Sequence, residues 1–159
     1  MDELLKMLRQ NALESPANLA RMLGMTEQQV KDKMAEYERA GIIRGYQAIV
    51  NTDRLDVEQV RAVIEIKVTP EREGGFNRIA ERVAQFPEVE SLYLMSGTYD
   101  LQAVIVGRTL KEVAFFVSEK LATMEGIIST ATHFMLKKYK DHGVLMHEEG
   151  RHERLKVSP

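Results

Sequence analysis

Ser96-Gly97-Thr98-Tyr99-Asp100 stands between two apolar runs, Val89 to Met95 and Leu101 to Val106. Both runs are rich in Val, Leu, Ile and Tyr, residues that suit a pleated, packed surface. A Gly between Ser and Thr is hairpin chemistry, because Gly takes a positive φ without a Cβ clash. The stretch therefore predicts two antiparallel strands joined by a tight turn. It also admits a small-molecule reading. Backbone N–H groups at Gly97 and Thr98 can hold a carboxylate, as a backbone nest does. Asp100 can offer its carboxylate to an ammonium group. Ser96, Gly97, Thr98, Tyr99 and Asp100 are thus candidate residues of a site for an α-amino acid, set against the plainer reading of a turn alone.

Outward from the hairpin, the pattern is mixed. Ala62, Ile64, Ile66 and Val68 alternate, which predicts a strand. Pro70 and Gly74-Gly75 punctuate. Phe76, Ile79, Ala80 and Val83 recur at helical spacing, up to Phe86-Pro87. After the hairpin, Leu110, Val113, Ala114, Val117 and Leu121 form a second amphipathic stretch, with Thr109 as its cap. Ile127 to Tyr139 reads as the last strand. Strand, helix, strand, strand, helix, strand is the ferredoxin-like βαββαβ order, with a four-stranded antiparallel sheet. Two helices cover one face of such a sheet. Val104 and Val106 alternate with Leu101, Ala103 and Ile105, and Tyr93 and Met95 oppose Leu92 and Leu94, so the uncovered face reads as apolar. A patch of that kind marks an interaction surface. The same face of a second copy would cover it, so the chain is expected to be at least a two-fold homodimer.

Residues 1–50 read differently, as helices with a short strand at the end. Leu4, Leu5 and Leu8 share a helical face. Ser15 is a good N-cap and Pro16 a good first helical residue. Leu19, Ala20 and Leu23 stripe a second helix that stops at Gly24. Thr26 opens a third with Gln29 at capping-box spacing, and Val30, Met34 and Tyr37 face inward. Two helices crossing steeply through a short turn need a small residue at the crossing, a turn residue tolerant of positive φ, and an apolar pin. Ala20, Gly24 and Val30 supply these, which is helix-turn-helix logic. The outer side of the third helix then offers Thr26, Gln28, Gln29, Lys31, Lys33 and Arg39 as DNA-binding candidates, since Gln reads adenine edges and Lys neutralises phosphates. Ile42 to Val50 has strand character. Residues 51–60 are a polar linker, 61–140 the sheet domain and 141–159 a tail.

The 159 residues carry a formal net charge of −2, so nothing pushes the whole chain towards nucleic acid or membrane. Residues 1–50 hold seven basic and seven acidic side chains. A single head with that balance binds DNA weakly, and two heads on one assembly gain by avidity. No stretch approaches the ~18 apolar residues of a membrane span, and Met1-Asp2-Glu3 does not open a signal peptide. Cysteine is absent, which fits a reducing cytoplasm and excludes thiolate metal sites. In the tail only Val144-Leu145-Met146 is apolar enough to dock. His142, His147 and His152 share no helical face there, so no metal and no cofactor are expected.

Three segments carry a resemblance: Ala-Gly-Ile-Ile-Arg-Gly-Tyr at 40–46, Ser-Gly-Thr-Tyr-Asp at 96–100 and Thr-Ala-Thr at 130–132. In that order, with a helix-turn-helix before them, they resemble the Lrp/AsnC family of regulators over roughly residues 1 to 140. The resemblance implies an α+β chain: an N-terminal winged helix-turn-helix followed by a ferredoxin-like effector-binding and dimerisation domain. It implies dimers that assemble further, commonly to octamers, and amino acids or related metabolites as effectors bound between subunits. It makes Thr26 to Arg39 the recognition helix, puts Gly97 and Asp100 at the effector pocket, and adds Thr130 and Thr132 to its lining. At 33–37 the chain reads Lys33-Met34-Ala35-Glu36-Tyr37, with less Arg than the family's recognition helix usually carries. The expected function is a transcriptional regulator that binds double-stranded DNA and responds to an amino acid. The alternative is a metabolite-sensing oligomeric scaffold with weak or lost DNA binding. An enzyme is not expected: the sheet domain holds only His133, and no nucleophile–base pair or phosphate loop is present.

Overall fold

The computed structural model describes residues 1–70 and 75–146. Gly74, His147 and His152 lie outside the described residues. The chain divides into two compact units, Met1–Ala48 and Ile49–Pro159.

The first unit contains α1 (Glu3–Gln10), α2 (Pro16–Leu23) and α3 (Glu27–Arg39). Leu4 and Leu8 from α1, Leu19 and Ala20 from α2, and Val30 and Tyr37 from α3 form its core. Each helix has a side-chain cap: Asp2 accepts from the Leu4 N–H, Ser15 from Asn18 and Thr26 from Gln29. Such caps satisfy donors that have no partner within the helix.

The strand expected over Ile42 to Val50 does not form; residues 43–50 have no regular structure. The amides of Ile42 and Ile43 both donate to the Tyr37 carbonyl, so the chain folds back on the end of α3. Ile43 packs on the core while Ile42, Tyr46, Ile49 and Val50 stay exposed. β-branched composition favours a strand only when a neighbour pairs with it, and among the described residues none does.

The second unit opens with a single 3₁₀ turn, Thr52–Arg54, in the polar stretch. It continues as β1 (Val60–Val68), α4 (Asn77–Ala84), β2 (Val89–Leu94), β3 (Leu101–Gly107), α5 (Leu110–Phe115) and β4 (Ile127–Phe134). The four strands make one antiparallel sheet in the order β2-β3-β1-β4. Ala62, Ile64, Ile66 and Val68 of β1 pack with Leu101, Ala103 and Ile105 of β3 against Ile79 and Val83 of α4 and Val113 of α5. After Phe115 the helix widens to a π-helical stretch, Phe116–Leu121, which also buries Phe116, Val117 and Leu121. A period of 3.6 over this segment does not select Phe116, whose ring meets Phe86 edge to face at 5.3 Å.

The last strand ends at Phe134 rather than Tyr139. A two-residue hairpin follows, β5 (Lys140–Asp141) with β6 (Val144–Leu145). Met146 does dock: it is buried, and its carbonyl accepts from the Asn51 amide at 2.5 Å.

The uncovered sheet face is less apolar than its sequence pattern implied. Val63, Val104, Val106 and Tyr93 lie on it, but so do Arg61, Glu65, Lys67, Gln102 and His133 by strand alternation and register. Arg61 pairs with Glu90 at 2.8 Å, and His133 stands 3.5 Å from Glu65. Alternation read from the two hairpin strands, β2 and β3, does not reach the charged positions of β1.

Candidate nucleic-acid interface and effector loop

The α2–α3 pair is built as a helix-turn-helix. Pro16 occupies the first turn of α2, where its missing N–H is no loss. Ala20 is buried at the crossing, and Gly24 turns the chain at φ +64°, a region that disfavours any Cβ. The Met25 amide closes the turn on the Ala20 carbonyl at 2.9 Å. Thr26 Oγ1 then accepts from the Gln29 N–H at 3.2 Å, and Gln29 Oε1 accepts from the Thr26 N–H at 2.8 Å. This reciprocal pair is a full capping box. Val30, fully buried, pins α3 to the core.

The six candidates on α3 do not share a face. Thr26 and Gln29 use their side chains in the cap. Lys33 is half-buried on the flank towards α1, where its ammonium meets Asp2 Oδ2 at 2.7 Å. That ammonium holds the Asp2 carboxyl down to about 2, and burial pushes the Tyr37 phenol beside them up. Lys31 lies on the opposite flank, 2.6 Å from Glu27. Gln28 and Arg39 point away from the core. Arg39 Nε donates to the Ala35 carbonyl at 3.3 Å, and Gln28 Nε2 donates to Asp32 Oδ1 at 2.9 Å. At 100° per residue, Gln28, Asp32, Ala35 and Arg39 fall in an arc about 60° wide, opposite Val30 and Tyr37. Asp32 and Ala35 are not among the candidates that residue type selects. The signal for them is the spacing 28, 32, 35, 39, the outward complement of the inward-facing 30, 34, 37.

The hairpin loop is held from the inside by its last residue. The Asp100 amide donates to the Ile66 carbonyl at 3.1 Å, and its own carbonyl accepts from Met95 at 2.8 Å. Asp100 Oδ2 accepts from the Val68 N–H at 2.9 Å, where the β1–β4 register shifts between Lys67 and Val68. One carboxylate oxygen thus extends the β1–β3 ladder past its last backbone pair. Ser96, Gly97 and Thr98 are exposed, Tyr99 and Asp100 half-buried, and Gly97 has φ +143°. Thr130 pairs with Ile66 and Thr132 with Ile64, so both face the helix side of the sheet on the edge strand β4. Ile66 pairs on its other side with Leu101, which puts Thr130 at the loop end, two strand spacings or about 9.5 Å across. Thr132 lies roughly 7 Å further along, away from the loop. Within one chain the structure therefore gathers the loop and Thr130 at one end of the sheet, and not Thr132.

A separate open cleft of about 420 Å³ is lined by Glu58, Arg108, Thr109, Lys111, Glu112 and Phe115 and contains none of the candidates. Among the described residues no group of three His, Cys, Asp or Glu could hold a metal ion. No helix among them is long and apolar enough to cross a membrane.

The family profile of the Lrp/AsnC ligand binding domain matches residues 61–145. An uncharacterised HTH-type transcriptional regulator of Bacillus subtilis, YugG, is 42% identical over 158 residues, covering 99% of this chain and 95% of that protein. Two solved structures share the fold. A transcriptional regulator from Neisseria meningitidis in complex with L-Met superposes with a TM-score of 0.69 at 21% identity, covering 89% of this chain and 93% of that one. AsnC of E. coli gives 0.64 at 24% identity, covering 87% and 93%.

Proposed function

Because the chain belongs to the Lrp/AsnC family of HTH-type transcriptional regulators, we propose that it binds double-stranded DNA through α3 and responds to an amino acid or related metabolite bound between subunits. The observation that carries the DNA reading is the outer stripe of α3. It is a capped, thirteen-residue helix whose exposed side is free of core contacts. Fluorescence anisotropy on the chain's own upstream DNA tests it. A binder releases counterions, so affinity should fall steeply between 50 and 200 mM salt. A flat salt response would remove the reading.

At the effector loop, the N–H groups of Gly97 and Thr98 receive the effector carboxylate, and the Asp100 oxygen not bonded to Val68 meets its ammonium group. The neighbouring regulator solved with L-Met supports an amino acid as the class. A binder of the folded state raises the melting temperature, so a thermal-shift screen of the amino acids finds the effector. Asp100→Asn keeps an acceptor for Val68 and loses the charge. It should fold normally and lose the shift. An undiminished shift would take Asp100 out of the site.

The uncovered sheet face pairs with that of a second copy through Val63, Val104, Val106 and Tyr93, giving a homodimer that can build an octamer. The chain acts in the cytoplasm as a regulator and not as an enzyme. A second reading, a metabolite-sensing scaffold with weak DNA binding, has one observation in its favour. Lys31 is already paired with Glu27, and Lys33 with Asp2.

A further inference from the structure

Asp32 is an unexpected residue for the middle of a DNA-facing stripe. A carboxylate turned towards phosphates is repelled by them, so it lowers affinity for every sequence alike. It lowers that affinity least where a base offers it a donor. In the major groove guanine presents two acceptors and thymine an acceptor and a methyl group. Adenine flanks its amino group with the N7 acceptor, whereas cytosine presents the N4 amino group alone. An Asp at this place therefore discriminates rather than attracts.

The local geometry suits that task. Asp32 lies on the side of α3 opposite Val30, one turn after Gln28, and is exposed. Gln28 Nε2 donates to Asp32 Oδ1 at 2.9 Å, which restrains the carboxylate and leaves Oδ2 as the acceptor for an incoming amino group. The helix before it is fixed by the Thr26–Gln29 box, so Gln28 and Asp32 sit in the N-terminal half of α3, the half from which recognition helices reach base edges. Ala35, a turn later, is short enough to let the helix approach.

We propose that Asp32, oriented by Gln28, is a specificity-determining residue of this regulator and selects cytosine at one position of each half-site by accepting from its N4 amino group. The inference rests on the DNA-binding reading of α3 above.

The test is selection from a randomised duplex pool with the full-length wild type, Asp32→Ala and Asp32→Asn, at fixed salt. The wild type should favour C at one position of each half-site by about tenfold over other bases. Asp32→Ala should lose that preference while binding all sequences more tightly, because a repulsive charge is gone. Asp32→Asn, which pairs with adenine N6 and N7, should move the preference from C to A. A purely structural role for Asp32 predicts no such change of letter. Retention of the same C preference by both variants would overturn the proposal and leave the DNA reading standing. Failure of the wild type to enrich any sequence would overturn both.

Discussion

Asp2 works in two directions. Its Oδ1 accepts from the Leu4 N–H at 2.8 Å and caps α1, and its Oδ2 meets Lys33 of α3 at 2.7 Å. The Lys33 hydrogen bond is the main reason its pKa falls from 3.8 to about 2. A carboxyl depressed in the folded state stabilises above its unfolded pKa and loses that contribution as pH falls through the folded value. The Asp2 contribution is therefore complete above about pH 4 and disappears towards pH 2. Carboxyl ¹³C titration should give an Asp2 midpoint near 2, and Lys33→Met should move it back towards 3.8. An unchanged midpoint in the variant would dismiss the pair as its cause. Both partners are more than a third exposed, so solvent screens the pair and Lys33→Met should leave the midpoint of urea unfolding nearly unchanged. Asp100 is the opposite case, because its acceptor role lies inside the sheet. Asp100→Ala strands the half-buried Val68 N–H and should cost about 1–3 kcal/mol in urea unfolding, most of which Asp100→Asn restores.

At the scale of elements, the helix-turn-helix depends on how closely α2 meets α3. Ala20 is 5% exposed at that crossing, so Ala20→Leu overpacks it at a cost of about 1–3 kcal/mol. Hydrogen exchange should quicken in α2 and α3 while the amides of β1 to β4 keep their protection. Equal quickening in both units would show that they do not unfold separately. The features legible in the sequence are those with a local cause. Ser15-Pro16, Gly24 and the Thr26–Gln29 spacing each act within a few residues, and β1 and β3 alternate cleanly because one face is wholly buried. The features that were not legible depend on what lies alongside. Ile42 to Val50 has strand composition, and only a partner could make it one. The charged residues of β1 on the open face become visible as a group only when β1 is set between β3 and β4. The outer stripe of α3 is half legible for the same reason: residue type points to Gln28 and Arg39, which do face outward, whereas Asp32 shares their face with a charge that residue type sets against a phosphate contact.

For the whole molecule, the charge balance decides how DNA can be held. The chain has 22 basic and 24 acidic residues, and its first 50 are balanced seven to seven. Lys31 and Lys33 are each tied to a carboxylate in their own unit. One head therefore neutralises few phosphates, and each phosphate contact carries only about one unit of log–log salt slope. Useful affinity has to come from joining heads, which makes the second binding event intramolecular and can raise overall affinity by roughly 10²–10⁴-fold. On the proposed pairing of sheet faces, Val104 stands near the middle of the contact, between Val63 of β1 and Ser91 of β2. Val104→Asp places a charge there without touching either hydrophobic core. Sedimentation should then show an 18.1 kDa monomer, with the helix content kept. Its DNA affinity should fall by a factor in that 10²–10⁴ range, with a salt slope about half that of the wild type. A monomer that bound DNA as tightly as the parent would mean that one head suffices, and charge balance would no longer be a reason for this chain to assemble.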